Sequence, residues 1–177
     1  DDGKRTFRRN MQMIFQDPYE SLNPRWTIKD IIKEPLDIHN IGALNDREEA
    51  VIEILRTVGL TPPENYLARY PHEISGGQRQ RVSIARTLIM KPKFVICDEP
   101  TSMLDVSIRI SIMDLMLNLA KDLDVSYLYI THDLAVARYM CNSIAVMFNG
   151  KIVEIAETEE LLKLSLIHIS EPTRQWQ

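Results

Sequence analysis

Residues 11–15, Met-Gln-Met-Ile-Phe, form a short apolar segment that ends at Gln16-Asp17-Pro18. Proline biases Asp17 away from helix, so the pattern predicts a strand that exits into a loop at Gln16. Residues 28–36 read as a helix, with Thr27 placed to cap it and Pro35 expected to limit its far side. The next helix has Asp46 as its expected cap and Glu48 and Glu49 in the first turn. Val51, Ile54, Leu55 and Val58 follow at i, i+3, i+4 and i+7, and Gly59 ends the run. Pro62-Pro63 then breaks the chain. No strand-like segment lies between residue 27 and the helix after Ser75, which predicts a small helical lobe inserted into a sheet-bearing core.

After Gly76-Gly77, the residues Val82, Ala85, Leu88 and Ile89 make one apolar helical face that ends near Pro92. Residues 94–97 are fenced between Pro92 and Pro100, too short for a helix and suited to a buried parallel strand. Residues 108–123 are apolar nearly all round, as in a buried helix, although the alternation Val106, Ile108, Ile110, Ile112 also fits a strand. Residues 127–130 read as a second buried strand, residues 134–140 as a short helix and residues 144–148 as another strand. Strands alternating with helices predict a parallel sheet with crossovers. Asn149-Gly150 is a strong hairpin signal leading into a strand over residues 151–155. Thr158-Glu159-Glu160-Leu161 opens a last helix. From Leu164 the pattern is abandoned, and residues 164–177 resemble translated sequencing-adapter read-through; they are expected to be a non-native tail without functional content.

Composition narrows the class. The chain has 177 residues, 45% hydrophobic and 7% aromatic, which places it among soluble globular proteins with room for one proper core. Its net charge of -4 argues against binding nucleic acid through a broad basic field, and Lys4, Arg5, Arg8 and Arg9 read as a solvated edge. Cys97 and Cys141 each sit in an apolar segment, as buried thiols of a reducing compartment do. The four histidines form no His-Glu-x-x-His pattern. No apolar run approaches the ~18 residues of a membrane helix, and no signal peptide is evident. The chain opens at Asp1 in a charged stretch that runs straight into a strand, so its beginning is expected to be missing. In keeping with that, Gly-x-x-x-x-Gly-Lys-Ser/Thr occurs nowhere: Gly3-Lys4 is followed by Arg5, and Gly150-Lys151 by Ile152.

Ser75 before two glycines at a helix start gathers backbone N–H groups at a positive helix end, a natural seat for phosphate. Taken alone, a glycine pair marks an ordinary turn far more often. Asp98-Glu99 at the end of a buried strand suits a magnesium ion and an attacking water, against the plain alternative of a charged loop start. Gln16, Asp98-Glu99 and His132 each follow a predicted strand. In open α/β sheets ligands lie beyond the carboxyl ends of the strands, so these groups are expected to share one edge.

Ile74-Ser75-Gly76-Gly77-Gln78, followed by an apolar strand ending in Asp98-Glu99, resembles the ATP-binding cassette family. Its signature loop is usually Leu-Ser-Gly-Gly-Gln, from which only Ile74 departs. The resemblance covers roughly residues 10–162. It implies an α/β fold, a P-loop ATPase-type parallel sheet core, incomplete here, with an inserted α-helical subdomain. Residues 1–26 would end the first part of the core, 27–91 form the helical subdomain and 92–163 the second part of the core.

The resemblance also implies ATP and Mg2+ as ligands. Asp98 would be the magnesium-side carboxylate and Glu99 the general base or water-orienting group for attack on the γ-phosphate. His132 would be the switch histidine that contacts the γ-phosphate. Gln16 would be the Q-loop glutamine, reaching metal and water when the helical lobe rotates inward. Ser75, Gly76, Gly77 and Gln78 would serve the nucleotide held by an opposite subunit. Pro100-Thr101-Ser102-Met103-Leu104-Asp105 resembles the D-loop, usually Ser-Ala-Leu-Asp, with Met103 replacing alanine; Asp105 also fits a simple helix cap.

Such a site requires a head-to-tail pair of cassettes, whether two copies or two different subunits. The family adds transmembrane permease subunits, whose short helix would enter a groove near Gln16, and an external solute-binding protein acting indirectly. Location would be peripheral, at the cytoplasmic face of the plasma (inner) membrane. Residues 15–25, Tyr70-Pro71-His72-Glu73, and Cys97-Asp98-Glu99-Pro100 with Asp105-Val106-Ser107 look like the dipeptide and oligopeptide importer branch, which includes nickel importers. The Pro-, His- and Tyr-rich segment that this branch carries after its last helix is absent. One competing reading is a soluble cassette ATPase acting on nucleic acid or ribosomes. It is disfavoured by the acidic charge and by the mere sixty or so residues between Gln16 and Ser75, too few for a long coiled-coil insertion. Another is that the chain by itself is an inert piece.

Overall fold

The computed structural model describes residues 2–169. Most of the expected tail therefore lies outside the described residues. The chain divides into two compact units, one up to Ile130 and one from Thr131.

The first unit is built on a parallel sheet of β1 (Met11–Ile14), β2 (Phe94–Asp98) and β3 (Ser126–Ile130), in that spatial order. Ile14 lies opposite Cys97, and Asp98 opposite Ile130. β2 is central, and its alternate residues Val95 and Cys97 are fully buried, as its apolar run between two prolines demands. β3 departs from expectation. Its residues alternate between exposed and half-buried, and Leu128 and Ile130 stand open, because β3 is paired on one side only.

Ahead of β1 the charged stretch forms a helix, α1 (Asp2–Asn10), on which Lys4, Arg8 and Arg9 are exposed, the solvated edge their charge implies. Gln12 Nε2 donates to the Arg8 carbonyl at 2.6 Å, which occupies one carbonyl of the helix end. The loop expected after Gln16 is one helical turn, α2 (Pro18–Ser21): the Asp17 carboxylate accepts from Tyr19 N–H at 2.7 Å, and Pro18 fills the first position, where no N–H is needed.

α3 (Ile28–His39) starts at the expected Thr27 cap but runs through Pro35 and ends at Asn40, whose φ of 51° is left-handed. Proline's fixed φ is helical, and its cost in a helix is a lost hydrogen bond and a steric clash. Burial of Ile28, Ile31, Ile32 and Leu36 along one face outweighs that cost. In α4 (Leu44–Thr57) the cap position is Ala43, not Asp46. Asp46 sits three residues in and reaches back, accepting from Ala43 N–H at 3.1 Å, the reciprocal half of a capping box. Val51, Ile54, Leu55 and Val58 are buried as their spacing requires. After α5 (Glu64–Leu67) and a 3-10 turn at Pro71–Glu73 comes α6 (Gly76–Leu88). It packs against α2, α3, α4, β1 and α7 (Val106–Asp122), making it the axis of the unit. No strand occurs between β1 and β2.

α7 corrects another expectation. It is not buried all round: Ile112, Met113, Met116 and Leu119 face inward, while Val106 and Ile110 are exposed. Those inward positions recur at i, i+1, i+4 and i+7, one helical stripe, so a helix rich in aliphatics still presents one face to the core.

The second unit contains α8 (Leu134–Met140), β4 (Ser143–Phe148), β5 (Lys151–Glu157) and α9 (Thr158–Ile169). The hairpin expected at Asn149-Gly150 is present, β4 pairing with β5 in a two-stranded antiparallel sheet, whereas the expected place of β4 in the parallel sheet is not found among the described residues. The hairpin turn decides this. Asn149 and Gly150 adopt φ of 47° and 75°, the left-handed pair that folds a strand directly back on its neighbour. Cys97 is buried as expected, but Cys141, at the end of α8, is only half-buried; the two do not form a disulfide. No helix among the described residues is long and apolar enough to cross a membrane.

Candidate functional site

Two sequence-distant groups meet at the carboxyl ends of β1 and β2. Ile14 and Cys97 are register partners, so the residues two places beyond each, Gln16 and Glu99, leave adjacent strands at the same level. Gln16 Nε2 donates to Glu99 Oε2 at 3.4 Å, across 83 positions of sequence. Glu99 holds φ at 42°, a left-handed conformation that costs a residue with a Cβ of order 1–3 kcal/mol. The surrounding bonds enforce it. Its N–H donates to the Ile130 carbonyl at 3.0 Å, and its carbonyl accepts from Ser102 N–H at 3.1 Å and Ser102 Oγ at 3.0 Å. Strand β2 thus stops at Asp98, half-buried, and the backbone turns sharply to present Glu99.

The signature turn is fixed by its own side chains. Ser75 caps α6: its Oγ accepts from Gln78 N–H at 3.3 Å, and Gln78 Oε1 accepts from Ser75 N–H at 3.0 Å. The other end of the Gln78 amide donates to Tyr66 Oη at 3.4 Å. Gly76 and Gly77 are the first two helical residues, whose N–H groups have no intrahelical acceptor and sit at the positive end of the helix dipole. Gly77 has a steric reason to lack a side chain: a Cβ there would lie 2.7 Å from Ile108 Cγ2 of α7. A Cβ on Gly76 would lie 3.7 Å from Leu104 Cδ2. The turn therefore rests on the D-loop-like segment of its own chain. Asp105 occupies the position before α7, but its side chain makes no capping bond. The cap role foreseen for its carboxylate is not realised; its carbonyl instead accepts from Arg109 N–H at 2.8 Å.

His132 is exposed and belongs to the second unit, in the turn that follows β3. Asp133 beside it caps α8, its Oδ1 accepting from Ala135 N–H at 2.8 Å and Val136 N–H at 3.4 Å. Sequence reasoning missed two residues that hold the signature turn, Tyr66 and Arg79. Arg79 is buried, and its position three residues before Val82 on the apolar face of α6 was the available signal. Among the described residues no group of three or more His, Cys, Asp or Glu is arranged to hold a metal ion. An open cleft of about 400 Å³ runs along α3, lined by Trp26, Asp30, Lys33, Glu34, Asp37 and Ile38; it holds none of the expected site residues.

A strained glutamate with a glutamine against it thus lies at the strand ends, and a capped diglycine turn opens α6. A family model described as ABC transporter matches residues 1–102. The chain belongs to the ABC transporter family. It is 53% identical over 156 residues to the oligopeptide transport ATP-binding protein OppF of Bacillus subtilis, covering 88% of this chain and 50% of that protein. With AmiF of Streptococcus pneumoniae, also an oligopeptide transport ATP-binding protein, identity is 53% over 154 residues, 86% of this chain and 49% of the relative. The chain thus spans about half the length of these curated relatives. Among solved structures, cbiO1 of Clostridium perfringens, part of the cbiONQ ABC transporter complex, superposes with a TM-score of 0.81 at 27% identity, covering 94% of this chain and 64% of that one. The ATP-binding cassette MJ0796, a dimeric structure bound to ADP and Pi, gives 0.74 at 30% identity, covering 89% and 67%. Family and α/β class are those expected from the signature and acidic-doublet motifs.

Proposed function

We propose that this chain supplies most of the hydrolytic half-sites of an ATPase subunit that powers import of peptides or a similar small solute. The observation that carries the reading is the 3.4 Å approach of Gln16 to Glu99 at the strand ends, with Glu99 held in a strained conformation. Strain of this kind collects where a side chain must be aimed. Glu99 acts as the general base that orients and deprotonates water, and Gln16 holds its carboxylate until nucleotide arrives. The donor set fits magnesium, which takes one or two carboxylates plus phosphate oxygens and water and needs no three-residue cage. Asp98, with the amide oxygen of Gln16, would hold the ion. When bound, Mg2+ neutralises the developing charge of the phosphoryl group.

The Gly76 and Gly77 N–H groups bind phosphate presented by a second cassette, which makes the site shared between two subunits in a head-to-tail pair. By resemblance to the family alone, His132 would be the group that contacts the terminal phosphate and Asp105 would lie at the subunit boundary. Residues 27–91 act as the helical lobe, which moves Gln16 against the core. The names of the relatives, oligopeptide transport ATP-binding proteins, support a peptide solute; permease subunits in the membrane and a peripheral place at its cytoplasmic face are what a transport role would require. Nucleic acid has no part in the reading. Since the 177 residues contain no Gly-x-x-x-x-Gly-Lys-Ser/Thr cradle, the isolated chain does not turn over ATP.

The test is Glu99→Gln in a full-length transporter ATPase carrying these residues. ATP binding is expected to persist while turnover falls by about 10²-fold or more. An unchanged rate would remove Glu99 from the role of base.

A further inference from the structure

We infer that Arg79 is a positioning residue that ties the signature turn to the segment bearing Gln16, so that the two nucleotide-facing segments keep one relative placement. This rests on the ATPase reading above. A guanidinium is permanently charged and is seldom buried without partners. Arg79 is 9% exposed. Among the described residues no carboxylate forms a salt bridge with it; its charge is met by dipoles and an aromatic face. Nη1 donates to the Ile74 carbonyl at 2.5 Å and to the Pro71 carbonyl at 3.1 Å. Ile74 is the residue immediately before the Ser75 cap, so this contact fixes where the signature turn begins. Nη2 lies beneath the turn itself, 3.9 Å from where a Cβ on Gly76 would be.

The opposite face of the fork reaches the other segment. The guanidinium carbon stands 3.8 Å from the centroid of the Tyr19 ring. Tyr19 is the second residue of α2 and is anchored by the bond from its N–H to Asp17; three positions earlier in the chain is Gln16. One planar group thus grips a carbonyl at the root of the signature turn and a ring at the root of the Q-loop. Nε has no partner, so the hold depends on the two carbonyls and the ring alone. Lysine cannot reproduce it, since a rotating ammonium lacks a flat face to stack and a fork to span two carbonyls. A shift of the Tyr19 turn is transmitted through this contact to Ser75, which must be in place for the transition state but not for the first capture of ATP.

The experiment compares Arg79→Lys, Tyr19→Phe, Tyr19→Leu, the Arg79→Lys/Tyr19→Leu pair and Glu99→Gln in the full-length protein assembled with its transporter, measuring ATPase kcat, KM for ATP and melting temperature. Arg79→Lys and Tyr19→Leu are each expected to lower kcat about tenfold with KM for ATP within about twofold. Tyr19→Phe keeps the ring face and retains activity. The double variant is no worse than the poorer single variant, the mark of one shared contact. Tyr19 is 55% exposed, so Tyr19→Leu should fold even if an Arg79 variant does not. Normal kcat in Tyr19→Leu, additive losses in the pair, or losses that track melting temperature alone would overturn the inference while leaving the ATPase reading standing, provided Glu99→Gln is inactive. Full turnover by Glu99→Gln would overturn both.

Discussion

The helices between β1 and β2 and the hairpin of β4 and β5 are both written in aliphatic residues, yet they meet opposite fates. Ile28, Ile31, Ile32, Val51, Leu55 and Val58 are buried, with Ile32 at 0% exposure. Met147, Phe148, Ile152, Val153 and Ile155 are open, with Ile155 at 68%. An amphipathic helix finds its partner within a few dozen residues, as α3 finds α4 and α6. A two-stranded sheet has no inner layer of its own and needs a second surface to cover either face. Hydrophobicity alone therefore does not decide burial; the company of the element does.

The contrast can be broken by substitution. Ile32→Ala should cost about 2–5 kcal/mol in denaturant unfolding of the first unit. Gly77→Ala, which forces a Cβ against Ile108, should cost about 1–3 kcal/mol and shift α6 from α7. Ile152→Ser should change stability by less than ~0.5 kcal/mol, since its side chain leaves no core. A large loss at Ile152 with none at Ile32 would reverse the comparison.

The cysteines sharpen it at smaller scale. Burial raises the Cys141 thiol above its ordinary pKa, so less thiolate is present at any pH below that raised value. Iodoacetamide should modify Cys141 a few-fold more slowly than an unfolded thiol at pH 8, with the gap closing as pH rises. Cys97, fully buried, should react only on unfolding. Equal rates for both in the folded chain would contradict the burial assigned to β2.

The same contrast explains what could be read from sequence. Local chemistry was legible: Thr27 and Ser75 as caps, Asn149-Gly150 as a turn, Val82 to Ile89 as a buried face. Each depends on groups within about four residues of one another. Context was not. Pro35 stays helical because of burial elsewhere on α3, and β3 and α7 are more exposed than their composition suggests. Arg79 was lost for a related reason: a charge reads as surface unless the carbonyls that receive it are known. At the site, Glu99 and Gln16 were nameable from their positions after strands, but their contact follows from β1 and β2 being register neighbours, which no local signal specifies.

The most direct measurement is a structure of the full-length protein with Glu99→Gln, bound to ATP and Mg2+. The account predicts the terminal phosphate and the ion at the carboxyl ends of β1 and β2, within hydrogen-bonding or coordinating reach of Gln16 and Asp98. Nucleotide seated away from those strand ends, with position 99 facing bulk water, would contradict it.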